Sequence, residues 1–319
     1  MRHLFILNPI AGGGRRTAEV RAEILRVMGA RSDVWELYET TGPADAIRKV
    51  KEAAGEHSSP LRVYACGGDG TLNECINGAV GRPHVAVTHF PAGTGNDFIK
   101  TFARGKEDFF KLERLLDARE MSLDVIDAGG RYGINICSVG FDARIGGDVH
   151  TYSRLPLVRG KGAYVVSLLA NIIKGVAQEL EVEAEGETYR QKYTLICLCN
   201  GRSYGGAFTP VPEALPDDGR MEILLVKKVS RLTVAQLVRR YAAGRYREIP
   251  QVITHMQASP VTIRAAREFV VNVDGEILYR QEVTFTLLPG AVRFFAPVGA
   301  EFEAEKTNSF VEAEKTGGN

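Results

Sequence analysis

The sequence predicts an α/β plus β protein, with a doubly wound α/β domain at the N-terminus and a β-sandwich at the C-terminus. Two observations carry this. Through about residue 122, short strand-like runs alternate with helical patterns, and glycine-rich loops follow the strands. Beyond that point most segments read as strands separated by Gly/Pro turns, the texture of a sandwich.

Taken in order, Leu4–Asn8 reads as a buried strand, leading into Gly12, Gly13 and Gly14 and then a helix over Thr17–Met28. A strand at Val34–Thr40 and a helix at Ala44–Ala54 follow. A third strand at Leu61–Ala65 enters GGDGT, with a helix over Leu72–Val80 behind it. A fourth strand at Val85–Phe90 enters PAGTGND. The second half predicts strands at Ser122–Asp127, Tyr132–Ser138, Leu180–Ala184, Tyr189–Asn200, Met221–Lys227, Val252–Gln257, Val261–Ala265, Phe269–Val273, Val283–Leu288 and Val292–Ala296. Two helical patterns interrupt them, over Tyr164–Val176 and Leu232–Ala243. The boundaries are 1–122, 123–291 and a solvated acidic tail at 306–319, with 292–305 a candidate to complete the first domain. The tail carries EAEKT at Glu303–Thr307 and again at Glu312–Thr316.

Composition excludes several function classes. A net charge of +1 over 319 residues supplies no field for nucleic acid, and no nucleic-acid motif occurs. The five cysteines form no CxxC, which argues for a reducing, cytoplasmic setting over a disulfide framework or zinc ribbon. The six histidines form no HExxH. The first residues read as a strand rather than a leader. The apolar stretch from Ala163 to Ala177 is broken by Ser167, Asn171 and Lys174, short of the ~20 residues that span a bilayer, so any membrane contact is expected to be peripheral.

The chemistry sits at the glycine loops. Cys66-Gly67-Gly68-Asp69-Gly70-Thr71-Leu72-Asn73-Glu74 follows a buried strand and opens a helix, so its free N–H groups suit phosphate oxygens. It is neither a Walker A loop nor GxGxxG. A carboxylate beside phosphates is repulsive unless a cation lies between them, so Asp69 implies Mg²⁺; as local structure alone it reads as a helix N-cap. Pro91-Ala92-Gly93-Thr94-Gly95-Asn96-Asp97-Phe98 repeats the design one βα unit later. Two such loops at the carboxyl ends of parallel strands converge on one crevice.

GGDGTLNE, GTGNDF, the opening NPIAGGG and a later VDGE, in this order, resemble the bacterial diacylglycerol kinase and lipid kinase family, related to sphingosine and ceramide kinases. The match runs from Asn8 to about Pro297; GGDGT alone is shared with NAD kinases. The resemblance implies an active site in the cleft between the domains, with ATP as co-substrate and Mg²⁺ as cofactor. Asn8, Pro9, Ile10, Ala11 and Gly12 are then the first nucleotide loop, and Thr40 a nucleotide contact. Gly67, Gly68, Asp69, Gly70, Thr71, Leu72 and Asn73 hold phosphates, with Thr94 beside them. Asp69 and Asp97 organise the catalytic Mg²⁺. Glu276 is the general base, chemically apt because a lipid hydroxyl must lose its proton as it attacks phosphorus. By pattern alone Val273-Asp274-Gly275-Glu276 is a hairpin turn.

The resemblance also implies a second, structural Mg²⁺ held by the Asp218 side chain and the carbonyls of Leu215 and Arg220, in a segment that otherwise reads as an acidic turn. One departure stands out. Where some members carry a lysine after the first loop, this chain has Gly13, and the nearest cations are Arg15 and Arg16. The expected reaction phosphorylates a diacylglycerol-like lipid to a phosphatidic-acid-like product. Alternatives are a kinase for a sphingoid base or for NAD, or a non-catalytic nucleotide- or lipid-binding protein. GTGND together with VDGE favours lipid over NAD, and the presence of Asp69, Asp97 and Glu276 disfavours a silent protein. The expected partner is a lipid met by transient membrane contact, and a homodimer is allowed. The apolar face of Tyr164–Val176 reads as packing against the sandwich or as an acyl-chain lining. Arg239, Arg240, Arg245 and Arg247, interleaved with Tyr241 and Tyr246, read as a solvated face or a headgroup contact, as do Arg154, Arg159 and Lys161.

Overall fold

A computed structural model of the chain describes residues 1–56, 59–140, 177–206 and 208–302. The helix expected over Tyr164–Val176, the residues Arg154, Arg159 and Lys161, and the acidic tail with its repeat lie outside them.

Elements are numbered in chain order. The first half runs β1 (Arg2–Leu7), α1 (Arg15–Gly29), β2 (Val34–Glu39), α2 (Asp45–Glu56), β3 (Leu61–Gly67), α3 (Asp69–Ala79) and β4 (Val85–Pro91). Then come β5 (Phe102–Arg104), α4 (Leu112–Leu116) and β6 (Arg119–Ala128). The second half contains β7 (Tyr132–Gly133), β8 (Ile136–Gly140), β9 (Gln178–Ala184), β10 (Glu187–Cys199), β11 (Glu222–Lys227), α5 (Arg231–Ala242), β12 (Ile253–Gln257), β13 (Val261–Val273), β14 (Glu276–Ala296) and β15 (Glu301–Phe302).

β1 to β4 form a parallel layer in the order β2-β1-β3-β4. Its central strands are buried on both faces, so Leu4–Leu7 and Val85–Phe90 read as almost unbroken apolar runs. Helix α1 turns Thr17, Val20, Ile24 and Met28 onto this layer, three or four residues apart. The strand order reverses between β1 and β3, and at that switch point an open α/β sheet leaves its ligand crevice.

The sheet continues without a break into the second half, giving thirteen strands among the described residues. β14 is the join. Its first part pairs antiparallel with β13, and its last part lies parallel to β4 at Arg293 and Phe294 and antiparallel to β6. The tertiary pairing overrides the expected division into short strands. Val261–Ala265 and Phe269–Val273 are one strand with a bulge between Arg264 and Phe269, and Val283–Leu288 and Val292–Ala296 are the end of one long strand bulged between Leu288 and Val292. The reverse holds at Tyr132–Ser138, which breaks into β7 and β8 because the N–H groups of Ile134, Asn135 and Ile136 turn to the Asp274 carboxylate.

Alternation along β10 separates two cores. Ile196 and Leu198 enter the sandwich interior with Val271, Val273 and Phe285. Leu195, Cys197 and Cys199 face the opposite side, with Leu224, Tyr241 and Tyr246. All five cysteines are buried thiols without disulfides.

His3 on β1 is buried, its Nδ1 2.9 Å from the Tyr64 hydroxyl, and burial holds its pKa down to about 4. An unfolded imidazole titrates near ~6.5. As pH falls from 6.5 to 4, the unfolded chain therefore binds a proton that the folded chain refuses, and stability is lost over that window. Denaturant titrations at pH 7 and pH 5 should show His3→Gln losing about 1–2 kcal/mol less than wild type; equal losses would place the acid sensitivity elsewhere.

Candidate active site

Four loops leave the carboxyl ends of β1 to β4 on one side of the sheet and enclose a cleft of about 660 Å³. Asn8 to Gly12 follow β1, Thr40 to Pro43 follow β2, Gly68 to Thr71 follow β3, and Gly93 to Gly95 follow β4. Among the described residues of the second half a single one, Glu276, joins the wall. Of the residues expected to meet the nucleotide, Asn8, Pro9, Ile10, Ala11, Gly12, Thr40, Gly68, Asp69, Gly70, Thr71 and Thr94 line this space.

The loops touch backbone to backbone, which explains their glycines. A methyl group on Gly93 would lie 2.5 Å from the Gly68 Cα, and one on Gly12, at φ 58°, would lie 2.4 Å from the Ala92 carbonyl oxygen. Asn8 braces the first loop. Its Oδ1 accepts from the Ile10 N–H at 3.2 Å, and its Nδ2 donates to the Thr71 hydroxyl at 3.3 Å.

Asp69 is the first residue of α3, and its neighbour Gly68 is the N-cap with no side-chain capping bond. The Asp69 carboxylate is therefore not a cap. Its Oδ1 accepts from the Phe98 N–H at 3.1 Å, tying the two glycine loops together. Asp97 is buried just outside the cleft lining, ion-paired to Lys100, with its Oδ2 accepting from the Gly206 N–H at 2.9 Å. A methyl group on Gly95 would lie 3.2 Å from the Asp69 Oδ2 and 3.7 Å from the Asp97 Oδ2, so the two carboxylates flank that glycine. Beneath them His89 is fully buried, with Nε2 3.0 Å from the Gly67 carbonyl, and burial lowers its pKa.

Gly67, Leu72 and Asn73 do not line the cleft. Gly67 ends β3 and packs on Thr71, and Leu72 is core. Asn73 is fully buried and points across to the second half, its Nδ2 donating to the Tyr132 carbonyl at 2.8 Å and to the Asp274 Oδ2 at 3.1 Å. Asn77, one turn on, donates to the same carbonyl at 2.8 Å and accepts from the Tyr132 N–H at 3.0 Å.

The hairpin expected at VDGE is present. Asp274 and Gly275 both have positive φ, 50° and 98°, the signature of a two-residue turn joining β13 to β14. The Asp274 carboxylate is nonetheless buried. It accepts from the N–H groups of Ile134 at 2.6 Å, Asn135 at 3.1 Å and Ile136 at 2.8 Å, besides Asn73. Burial pushes its pKa up to about 6, against the downward pull of those donors. Glu276 is half-exposed at the cleft, with Oε2 3.5 Å from the Arg131 guanidinium.

Sequence reasoning passed over Glu74. Its two oxygens accept from the Ala44 and Ala46 N–H groups at 2.8 and 3.1 Å, holding Ala44 at φ 63° and fixing the loop after Thr40 against α3. Asp45 closes the same loop, accepting from the Thr41 N–H at 2.8 Å, and that bond with its neighbours lowers its pKa to about 2. Two signals were readable. Glu74 stands in the GGDGTLNE run itself, and Asn73 and Asn77 recur at i, i+4 on an otherwise buried helix face.

The acidic turn at 215–220 is anchored by buried Asp124, whose oxygens accept from the Gly219 and Gly290 N–H groups at 2.8 and 2.7 Å. The Asp218 Oδ1 accepts from the Arg220 N–H at 2.9 Å. Burial pushes both the Asp217 and Asp218 carboxyls up, and the charge of Asp124 adds to each. Among the described residues no group of three or more His, Cys, Asp and Glu side chains is arranged to hold a metal; the expected donor set is one carboxylate with backbone carbonyls.

Two further expectations resolve. Arg16 is engaged with Glu19 at 3.0 Å and with the Phe110 carbonyl at 3.3 Å, and Arg15 is exposed with no ion pair among the described residues. The basic cluster near α5 is partly paired. Arg247 pairs with Glu213, and Arg240 and Arg245 pair with Glu248, while Tyr241 and Tyr246 are buried in the second core. Arg239 is exposed, so the four arginines share two carboxylates.

The fold and cleft bring four loops of a parallel α/β layer and one carboxylate of the strand-rich half, Glu276, around a single space. Residues 2–128 match the diacylglycerol kinase catalytic domain, and residues 135–296 match the YegS C-terminal NAD kinase beta sandwich-like domain. The chain belongs to this family of lipid kinases, which use ATP. It is 27% identical over 252 residues to a Staphylococcus epidermidis protein whose name assigns it provisionally to the lipid kinases; the match covers 78% of this chain and 81% of that one. A YegS-like protein of Shewanella frigidimarina, named in the same provisional way, is 28% identical over 277 residues, covering 86% and 87%. A solved structure described as a diacylglycerol kinase from Bacillus anthracis shares the fold with TM-score 0.67 at 22% identity, covering 93% of this chain and 97% of that one.

The glycine contacts make a specific prediction. Gly93→Ala forces the loops after β3 and β4 apart and should weaken ATP binding about tenfold by calorimetry, since a single misplaced contact is worth ~1.4 kcal/mol. Unchanged affinity in a folded variant would show that the loops do not hold the nucleotide.

Proposed function

We propose that this chain transfers the γ-phosphoryl of ATP to the hydroxyl of a diacylglycerol-like lipid, giving a phosphatidic-acid-like product. The observation that carries the reading is that Glu276, among the described residues the one cleft residue contributed by the sandwich, shares a cleft with the two glycine loops. The cleft's 660 Å³ lies within the usual range of ~300–1,000 Å³ for small-molecule sites.

The chain's own part in the reaction follows from this geometry. The N–H groups at the start of α3 and around Gly93 to Gly95 receive phosphate oxygens. Asp69 and Asp97, with oxygens flanking Gly95, form a hard-oxygen donor set suited to Mg²⁺. Bound there, Mg²⁺ supplies charge neutralisation of the phosphates. Arg131 orients the Glu276 carboxylate, which takes the proton of the acceptor hydroxyl as that oxygen forms its bond to phosphorus and the bond to ADP breaks. The acceptor is met at the membrane surface by transient contact; among the described residues no helix is long and apolar enough to cross a membrane.

The test is transfer from γ-labelled ATP to dioleoylglycerol in mixed micelles, with sphingosine and NAD in parallel, with and without Mg²⁺. Wild type should form labelled phosphatidic acid only with Mg²⁺. Glu276→Gln should lose about 10²–10⁴ in kcat with the KM for ATP held, the usual worth of a general base. Label on sphingosine or NAD alone would change the acceptor, and an active Glu276→Gln would remove the base.

The acidic turn fits a second Mg²⁺ on the Asp218 side chain and the Leu215 and Arg220 carbonyls, because a cation relieves the repulsion among Asp124, Asp217 and Asp218. Millimolar Mg²⁺ should raise the Tm of wild type by a few degrees, and that of Asp218→Ala by clearly less. Equal shifts in both proteins would remove Asp218 from a metal site.

A further inference from the structure

Asp274 does more than a turn residue needs. A type I′ turn asks of this position only a positive φ, which Asp tolerates. Here the side chain is buried and serves as acceptor for four donors from two parts of the fold. Three are the successive N–H groups of residues 134–136, which leave the sheet ladder between β7 and β8 to reach it. The fourth is Asn73 on α3, the helix that begins at Asp69. Asn73 is itself held, with its Oδ1 accepting from Asn77 at 3.1 Å. The Asp274 N–H donates back to the Ile136 carbonyl at 3.1 Å, and the Gly275 N–H donates to Asn272 Oδ1 at 2.6 Å, so the turn is closed on every side.

We propose that Asp274 is a positioning residue for phosphoryl transfer: through Asn73 it locks the hairpin that carries Glu276 to the helix that carries Asp69. This rests on the reading of Glu276 as base. Glu276 begins β14 two residues beyond Asp274, so its Cα lies within about 7 Å of the clasp. Among the described residues no other side chain of the second half lines the cleft, and the hairpin, with Arg131 beside the carboxylate, sets the reach of Glu276. Asn73 and Asn77 also tie α3 to Tyr132, but the bridge that ends on the hairpin itself joins side chains 201 residues apart. The sensitivity of phosphoryl transfer to geometry makes such a bridge consequential, since ~1 Å of misplacement costs about 10²-fold. Asparagine at 274 would keep the shape but set an amide N–H₂ against either Asn73 or a backbone N–H, breaking the bridge on one side.

The experiment compares Asp274→Asn, Asn73→Ala, the double variant and Glu276→Gln. The acceptor is whichever of dioleoylglycerol, sphingosine and NAD wild type phosphorylates fastest, and the Tm of each variant is recorded. Asp274→Asn should lower kcat about 100-fold and Asn73→Ala about tenfold, both with the KM for ATP within threefold of wild type. In the double variant the Asn73→Ala step should add less than threefold, because it acts through a bridge already lost. A folded Asp274→Asn with kcat within threefold of wild type, or two losses that multiply in full, would overturn the proposal. If Asp274→Asn does not fold, Asn73→Ala decides: a kcat within twofold of wild type sinks the bridge. Active Glu276→Gln removes the base reading and this inference with it, whereas inactive Glu276→Gln beside active Asp274→Asn and Asn73→Ala removes the bridge alone. A wild type without turnover on any acceptor removes both.

Discussion

The first turn and a half of α3 is the constraint on which the rest of the site depends. Successive side chains of this one helix bind different neighbours: Asp69 the loop after β4, Thr71 the loop after β1, Asn73 the second half of the chain, and Glu74 the loop after β2. Helical geometry makes this feasible, because residues about 100° apart around the axis face different partners. The cost is that each of these side chains is buried or half-buried, where an unmade hydrogen bond costs roughly 1–3 kcal/mol. The cleft therefore has a shape set by side-chain bonding, and its glycines allow the backbones to close within that frame.

The parallel layer and the sandwich are one continuous sheet, joined by β14. A strand common to both halves restricts their relative motion far more than a linker does. What remains adjustable is the cleft edge, where Asn73, Asn77 and Asp97 meet Tyr132, Asp274 and Gly206. These contacts are short hydrogen bonds rather than apolar area, so they fix direction more than they add to stability.

Much of this was legible beforehand, and the misses have a common cause. β1 to β4 and their helices follow from local periodicity, and the loop glycines follow from their place after strands. The placement of Glu276 at the cleft came from the resemblance, since the residues alone read as a turn. What escaped were contacts with long sequence separation. Asp-Gly gives a strong local turn signal, and nothing local shows that Asp274 will meet N–H groups some 140 residues away. The same blindness assigned Asn73 to phosphate by its motif, whereas tertiary packing directs it the other way. The alternative local reading of Asp69 as a cap gives way to its bond with the Phe98 N–H in the loop after β4. Of the basic residues around α5, read as a solvated face or a headgroup contact, Arg247 meets Glu213 across 34 residues, a pairing that no local pattern shows.

The central claim is that nucleotide phosphates lie on the loops after β3 and β4 with the γ-phosphate toward Glu276. A crystal structure with Mg²⁺ and a non-hydrolysable ATP analogue tests it most directly. The account predicts phosphate oxygens on the N–H groups of Gly68 to Thr71 and Gly93 to Gly95, the base toward Thr41 to Pro43, and the γ-phosphate at the Glu276 end. A nucleotide bound the other way round, or a γ-phosphate out of reach of any hydroxyl that Glu276 could deprotonate, would contradict it.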